Sequence, residues 1–262
     1  MSRVDKIISF DIKSEFGFFK KPDVNNPIYF TFNIIPKPTL LGILGAIIGL
    51  GGYSQQNNEK YPEFYEKLKD LLIGIKPYGN KGVFQKRLIK YNNTCGYANK
   101  DGGTLNITEQ TLIKPQYRVY LGLDLRDEFH KKIEEFIKEN KVQYEYIPYM
   151  GKNEFRLEIN NVKHFKSFES FNPSDSFVIS TLFPNIVTKS LKVSEDRRKS
   201  AFNNSMKEIY FFYFERLPIG FDELNQYVYQ DFAYTNAKMI KDIDLINKIN
   251  LYRVEDKVIC LY

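Results

Sequence analysis

The sequence is poor in the residues that build disulfide-rich or zinc-binding proteins, with two cysteines and two histidines among 262 residues. Cys95 and Cys260 cannot form a disulfide framework, and neither belongs to a Cys-x-x-Cys pair. His130 and His164 are too few and too isolated to predict a histidine-based metal site. We therefore expect a reduced protein that holds neither a metal nor another cofactor.

Long hydrophobic runs are also missing. The longest, from Leu40 to Leu50, has eleven residues, whereas a membrane-spanning helix needs about 20. The first residues contain no apolar segment of the kind found in secretory signals. We therefore expect a soluble, cytoplasmic protein with no membrane contact.

Positive charge is in modest excess and is unevenly distributed. The chain has a net charge of +6 and no tryptophan, but 16% of its residues are aromatic. The segment from Tyr78 to Arg118 contains seven basic residues and two acidic ones, and so carries most of the excess. This asymmetry is typical of a surface that binds a polyanion, although a solvated loop on an ordinary basic protein gives the same pattern.

Hydrophobic periodicity predicts an α+β protein with a ferredoxin-like (RRM-type) domain. The predicted order is strand, helix, strand, strand, helix, strand: Val4–Phe10, Pro38–Leu50, Gly82–Asn92, Thr111–Leu123, Asp127–Asn140 and Val142–Tyr149. A further helix is predicted at Tyr61–Ile73 and a further strand at Glu154–Ile159. We place this domain at residues 1–165 with an insertion at about 92–112. Residues 166–262 form a smaller β-rich part with one short helix, Ala237–Ile249, packed on the domain.

The first predicted helix contains glycines at positions 42, 45 and 49, which are three and four residues apart. Such spacing creates a smooth seam that lets a helix pack closely on a sheet. A phosphate-binding loop is the alternative, but no Gly-Lys-Ser/Thr follows the glycines, so we favour the structural interpretation.

The sequence contains none of the motifs of common hydrolases or metalloenzymes. His130 lies beside Lys131 and Lys132, which favours a solvated position, and His164 is expected on a surface or rim. Asp11 and Glu15 follow one another along the first strand region, but isolated carboxylates of this kind rarely bind a metal. We predict no catalytic residues.

Basic and aromatic residues alternate along two predicted strands. They are Phe84, Lys86, Arg87, Lys90 and Tyr91 on the first strand and Lys114, Tyr117, Arg118 and Tyr120 on the second. Lysine and arginine neutralise phosphates, and aromatic rings stack on unpaired bases. The pattern therefore favours single-stranded RNA as the ligand, although the consensus motif of RRM domains is absent.

Four segments resemble the CRISPR-associated Cas-five family, subunits of type I Cascade complexes. They are F-D-I-K-S-E-F-G-F-F-K-K-P, P-K-P-T-L-L-G-I-L-G-A-I-I-G-L, T-L-I-K-P-Q-Y-R-V-Y-L and Y-I-P-Y-M-G-K-N-E-F. The second segment is the most specific and is similar to subtype I-B. The resemblance covers about the first 160 residues, in order.

This resemblance implies a RAMP-type, RRM-like subunit whose insertion forms a thumb. Such subunits cap the 5′ handle of the CRISPR RNA and dock against the backbone and large subunits in antiviral defence, meeting target DNA only indirectly. One subtype uses its member to cut the precursor RNA through a tyrosine, a lysine and a histidine. Here no histidine precedes His130, so the matching acid/base is missing. The insertion has little apolar surface, and we expect the core to depend little on it.

We therefore predict a non-catalytic RNA-binding subunit. Its predicted contacts are Lys20, Lys21, Lys37, Thr39, Lys86, Arg87, Lys90, Tyr91, Lys114, Tyr117 and Arg118. Thr39 is included because a helix N-terminus can receive a phosphate. Two alternatives stay open: a metal-independent endoribonuclease that uses His130 or His164, and a protein–protein scaffold with incidental basic charge.

Overall fold

The computed structural model describes residues 3–23, 27–93, 105–139, 147–171, 176–185, 210–239 and 249–262. These residues form an α+β protein with several antiparallel sheets, which confirms the predicted class. The helices are α1 (Lys37–Ile47), α2 (Glu63–Leu68) and α3 (Glu128–Glu139). The strands are β1 (Lys6–Lys13), β2 (Phe16–Gly17), β3 (Leu72–Pro77), β4 (Lys86–Asn93), β5 (Leu105–Ile113), β6 (Gln116–Leu123), β7 (Glu158–Phe165), β8 (Glu169–Ser170), β9 (Phe183–Pro184), β10 (Phe212–Phe221), β11 (Tyr227–Thr235), β12 (Asn250–Val254) and β13 (Lys257–Leu261). Among the described residues, no helix is long and apolar enough to cross a membrane.

The central sheet has four antiparallel strands in the order β3-β6-β1-β7. Its second strand along the chain is β3, so the predicted strand Gly82–Asn92 is wrong for this sheet, and the predicted helix Tyr61–Ile73 ends at Leu68. Its last strand is β7, which overlaps the predicted strand Glu154–Ile159 only at residues 158 and 159 and continues to Phe165. Most of the predicted strand Val142–Tyr149 lies outside the described residues.

The two faces of the central sheet differ because side chains alternate along each strand. Ile8, Phe10 and Ile12 of β1 join the main core with residues of α1 and α3. The other face, which we call the open face, is partly covered by β12 and β13, whose Ile259 and Leu261 pack against Ile7. The helices and the C-terminal hairpin therefore enclose the sheet from opposite sides.

The predicted strand Thr111–Leu123 is two strands that belong to different sheets. β5 pairs with β4 and β2, whereas β6 pairs with β1 and β3. The break falls at Lys114, whose φ of 47° is left-handed, and at Pro115, which has no N–H to donate to a sheet. β4 and β5 form a hairpin, called the hairpin below, at the place of the predicted thumb.

The core depends more on the hairpin than its composition suggests. Thr111 and Leu112 of β5 are fully buried. The main chain of β5 also binds Tyr29, through a bond from the Tyr29 N–H to the Thr108 carbonyl at 3.0 Å and one from the Gln110 N–H to the Tyr29 carbonyl at 2.8 Å. The expectation that the core depends little on the insertion, residues 94–110 in particular, is therefore wrong for Thr108 and Gln110, whose main chains bind Tyr29.

The C-terminal residues form two small sheets, β10-β11-β9 and β13-β12-β8. Leu217 and Phe232 enter the main core, and Glu215 accepts the main-chain N–H groups of Asn33 and Ile34 at 2.9 and 3.0 Å. Residues 240–248 of the predicted helix lie outside the described residues, and Ala237 does not begin a helix. The division at residue 165 stays a prediction.

The glycines of α1 pack against a helix rather than against the sheet. Gly42 and Gly45 face Phe64 of α2, and a Cβ at Gly45 would overlap the Cβ of Phe64. Gly49 lies beyond the helix end with a φ of +80° and takes no part in the seam. The seam therefore consists of Gly42 and Gly45 only, and it packs against α2 instead of against the predicted sheet.

Replacing Gly45 with valine should lower the free energy of unfolding by about 1–3 kcal/mol, because the branched side chain would push α2 away from α1. Urea unfolding measures this loss. Gly42→Ala is the matched control, since its Cβ would lie 3.6 Å from the Phe64 ring, an ordinary contact. A Gly45→Val protein as stable as the wild type would contradict the close approach of the two helices.

Candidate nucleic-acid interface

A large groove, called the groove below, opens along α1 and has a volume of about 770 Å³. Its walls come from α1 with the segments on either side of it, the segment that follows β2, the loop at residues 147–153, and single residues of α2, β10 and β11. Aromatic and apolar side chains dominate the walls, among them Phe18, Phe19, Phe32, Tyr53, Tyr149 and Tyr227. Phe18, Phe19 and Phe32 are buried in the main core. Tyr53 is 62% exposed and Tyr227 is 39% exposed, so these two tyrosines offer faces on which unstacked bases can stack.

Two predicted contacts, Lys20 and Thr39, line this groove together. Lys20 is exposed, and its Nζ lies 4.2 Å above the centre of the Tyr29 ring, which holds the charge at the rim. Thr39 lies in the first turn of α1, between the flanking prolines and the helix interior. Because Pro36 and Pro38 have no N–H group, the N–H groups of Lys37 and Thr39 and the hydroxyl of Thr39 are the donors that this turn can offer.

The loop that forms the far wall is fixed by a close approach of two backbones. The Phe18 N–H donates to the Met150 carbonyl at 3.0 Å, and the Met150 N–H donates to the Phe155 carbonyl at 2.8 Å. Gly151 has a φ of +88°, and a Cβ there would overlap the Phe18 carbonyl oxygen. The conformation and the contact both require glycine.

Lys152 ties this loop to the hairpin. Its Nζ lies 3.0 Å from Oε1 of the buried Glu109 and 2.9 Å from Glu154, and 4.8 Å from the centre of the Tyr91 ring. Burial lowers the pKa of Lys152, but hydrogen bonds to Glu154 and Glu109 outweigh burial and raise the pKa above its usual value. The sequence does not predict this cluster. The one feature that points to it is the acid Glu109, which lies among the bases of its segment.

The exposed bases of the hairpin point to opposite sides. Lys86 and Lys90 share one side with Leu88, which is 59% exposed. Arg87 and Tyr91 lie on the other side, where the Tyr91 hydroxyl donates to Glu109 at 3.2 Å. Lys86, Arg87 and Lys90 are exposed as predicted, but they do not form one surface.

Two predicted RNA contacts, Tyr117 and Lys37, are wrong because their side chains are buried, and Arg118 lies outside the groove. Tyr117 is fully buried, and its hydroxyl donates to the Asn33 carbonyl at 2.6 Å. Arg118 pairs with the buried Asp11 at 2.9 Å on the open face, away from the groove. Lys37 is buried with its Nζ 3.2 Å from the main-chain oxygen of Tyr262, and burial lowers its pKa to about 8.

Lys21 and Lys114 remain near the surface with loose partners. Lys21 lies 4.0 Å from Glu215 and 5.1 Å from the centre of the Phe32 ring. Lys114 lies 3.9 Å from Glu15, and both side chains are well exposed. The exposed pair of Lys114 contributes little to stability, so Lys114 stays available to a phosphate. Lys21 instead lies beside a Glu215 side chain that is only 7% exposed.

Neither histidine lines the groove. His130 is buried, not solvated as expected, and its Nδ1 accepts the Asp124 N–H at 3.0 Å. His164 lies in β7 opposite Ile8, and burial lowers the pKa of its imidazole. The Asp11 carboxylate accepts hydrogen bonds from Tyr78 and Asn161 besides its pair with Arg118. His130 and Asp11 therefore have structural partners, whereas both ring nitrogens of His164 are buried without a hydrogen-bond partner among the described residues.

No family model matches the chain, and no curated protein matches it in sequence. Its structure is similar to those of CRISPR-associated proteins. A CRISPR protein from Archaeoglobus fulgidus matches over 98% of both chains, with 12% identity and a TM-score of 0.46. A chain of a CRISPR RNA-guided surveillance complex matches over 88% of this chain and 90% of its own, with 11% identity and a TM-score of 0.44. A chain of a type III-B Cmr-beta complex matches over 93% and 89%, with 11% identity and a TM-score of 0.43. These values are too low to establish a family or a function.

Proposed function

We propose that this protein is a non-catalytic, Cas-five-type subunit of a type I Cascade surveillance complex that binds the 5′ handle of the CRISPR RNA. Its RNA surface is the groove together with the part of the hairpin that adjoins the groove. Its protein partners are the backbone and large subunits, and target DNA is met only through the assembled complex.

The observation that carries this proposal is the position of Lys20 and Thr39 in one groove with several aromatic rings. Lysine and the α1 N-terminus offer charge and donors to phosphates, and the rings offer stacking faces to bases. Single-stranded RNA is the ligand that needs both at once. The four segments that resemble the Cas-five family support the same function, because three of them form groove walls, at Phe18–Lys20, Pro36–Leu50 and Ile147–Asn153.

The topology of the central sheet agrees with the domain that this family is expected to have. The chain order β1, α1, β3, β6, α3, β7 with the sheet order β3-β6-β1-β7 fits a ferredoxin-like, RRM-type domain. In this proposal the hairpin is the thumb. It meets the groove rim through Tyr29, whose ring holds Lys20 and whose main chain pairs with β5.

The endoribonuclease alternative needs an acid/base beside bound RNA. Its two candidate histidines are held elsewhere, His130 by the Asp124 main chain and His164 within the central sheet. The scaffold alternative leaves the aromatic groove and its basic rim without a role. Both alternatives are outcomes of one experiment.

The purified chain should be incubated with labelled single-stranded repeat RNA in EDTA, over a series of salt concentrations. We expect retained, uncut RNA whose affinity falls as salt rises, because phosphate contacts release counterions. Cut RNA would establish the endoribonuclease instead. Absent or salt-insensitive binding would support the scaffold.

Charge reversal on the two sides of the hairpin should have different effects. We expect Lys86→Glu with Lys90→Glu to weaken RNA binding and to reduce the salt slope by about 0.7 for each lost contact. Arg87→Glu, on the side closed by Lys152, should change both less. Filter binding across salt concentrations measures affinity and slope together. Arg87→Glu reverses one charge and the double variant reverses two, so a loss for Arg87→Glu that is half the loss for the double variant would show that the hairpin acts only through its total charge.

A further inference from the structure

The open face of the central sheet contains a small polar pocket of about 40 Å³, called the basic pocket below. Four strands and the turn between β12 and β13 surround it. Its lining is rich in cations and hydroxyl groups: Ser9, Lys76, Tyr78, Arg118, Tyr120, Lys163, Phe165, Val254, Glu255 and Lys257. The groove lies beside α1, which packs on the opposite face of this sheet, so the two sites are separate.

Like charges lie directly opposite one another in this pocket. Lys76 of β3 is the cross-strand partner of Arg118 of β6, an arrangement that costs stability. Lys163 approaches from β7, opposite Ser9, and Lys257 from β13. Burial lowers the pKa of Lys76, and the charges of Lys257 and Arg118 lower it further. Four positive charges, one each from β3, β6, β7 and β13, therefore meet in one small pocket.

In the described part of the chain, the nearby carboxylates neutralise Arg118 but none of the three lysines. Asp11 is committed to Arg118 at 2.9 Å, to the Tyr78 hydroxyl at 3.2 Å and to the Asn161 amide at 2.7 Å. Glu255 lines the pocket and Asp256 acts on Lys76 at longer range, but neither forms an ion pair with it. Among the described residues, no ion pair involves Lys76, Lys163 or Lys257.

We propose that the basic pocket binds a phosphate group, held by Lys76, Lys257, Lys163 and the guanidinium of Arg118. An anion that lies between two cross-strand cations stabilises them, because its attraction to each cation outweighs the repulsion between the two cations. The pocket has room for one small anion, and the hydroxyl groups of Ser9 and Tyr120 add donors. Arg118 is already oriented by Asp11, so it loses little freedom on binding. The phosphate belongs to a free nucleotide or to a polynucleotide backbone, and the test separates these sources.

Thermal unfolding in inorganic phosphate and in chloride at equal ionic strength tests the pocket. We expect phosphate to raise the melting temperature by about 2–4 °C at saturating concentration. Lys76→Met should abolish this rise. In chloride the same protein should be as stable as the wild type or more stable, because the repulsion with Arg118 is removed. If Lys76 had only a structural role, Lys76→Met would be less stable than the wild type in chloride.

Lys60→Met is the matched control, since Lys60 is exposed and outside the pocket, and it should keep the full response to phosphate. Lys257→Met, on a different element, repeats the test if Lys76→Met fails to fold. An unchanged response in both pocket variants, or an equal loss in the control, would overturn the proposal.

Calorimetric titrations with adenosine 5′-monophosphate and with a 5′-hydroxyl dinucleotide identify the source. Binding of the monoester alone assigns the pocket to free nucleotides or terminal phosphates, and binding of both assigns it to a backbone. Binding of neither would overturn the proposal. These assays contain no handle RNA and alter no groove residue, so their failure leaves the proposed function untouched.

Discussion

Replacing Lys152 with methionine should destabilise the protein by about 3 kcal/mol, because it leaves the carboxylate of Glu109 buried without its cation. The Glu109 side chain is 4% exposed and that of Lys152 is 22% exposed, so water cannot replace the lost partner. The Tyr91 hydroxyl, 3.2 Å from Glu109, compensates for only part of the loss. Urea unfolding of the full chain measures the effect.

A second substitution separates the buried charge from lost packing of the lysine stem. Adding Glu109→Gln to Lys152→Met replaces the unpaired carboxylate with a neutral amide that Tyr91 can still reach. We expect the double variant to recover a large part of the lost stability. A double variant less stable than Lys152→Met would show that Glu109 is not the reason for the loss. Lys114→Met is the control, since its pair with Glu15 is exposed and should contribute little.

The predicted order of elements agrees with the central sheet at its first and third strands, but the second strand was misplaced. Apolar residues recur at helical spacing through Tyr61–Leu68, and the run Leu71-Leu72-Ile73 continues the pattern without a proline or glycine to end it. A strand buried on both faces has no alternation and cannot be told from a helix by periodicity. The predicted strand Gly82–Asn92 instead overlaps β4, whose residues 86–93 belong to the hairpin and have an exposed side.

The alternation of side chains along a strand also explains why some predicted site residues are wrong. Tyr117 and Arg118 are both predicted as RNA contacts because basic and aromatic residues alternate along their strand, but adjacent residues of a strand face opposite sides. One lies in the main core and the other on the open face. Lys20 and Thr39 are distant in sequence, and only the packing of the segment after β2 against α1 brings them into one groove. Lys152 and Glu109 were missed because a single acid and a single base have no pattern.

Removing the outer part of the hairpin should leave the fold intact and prevent assembly of a stable complex with guide RNA. Asn93 and Leu105 are cross-strand partners, so a two-residue Asn-Gly turn can replace residues 94–104 without changing the register. Those residues contain one base, Lys100, and one acid, Asp101, so the net charge stays the same. Any loss of RNA capture therefore reflects the missing arm and not a missing charge.

A longer deletion provides the matched contrast. Removing residues 94–110 also takes away Glu109, which binds Lys152, and Thr108, which accepts the Tyr29 N–H. We expect this protein to unfold at lower urea concentration, whereas the shorter deletion should match the wild type within about 0.5 kcal/mol. Urea unfolding thus separates a structural effect of the hairpin from a functional one.

Assembly is measured by size-exclusion chromatography of the shortened protein with guide RNA and the backbone and large subunits of the same system. Under the proposed function, the shortened protein keeps weak, salt-sensitive binding to RNA, because Lys20, Lys86 and Lys90 remain. It should fail to co-elute with the complex, because the proposed arm, which would close over the RNA and contact a neighbouring subunit, is shortened. Ordering such an arm costs entropy that partner contacts must offset. Co-elution at wild-type yield would show that the outer hairpin is dispensable and that the thumb lies elsewhere in the chain.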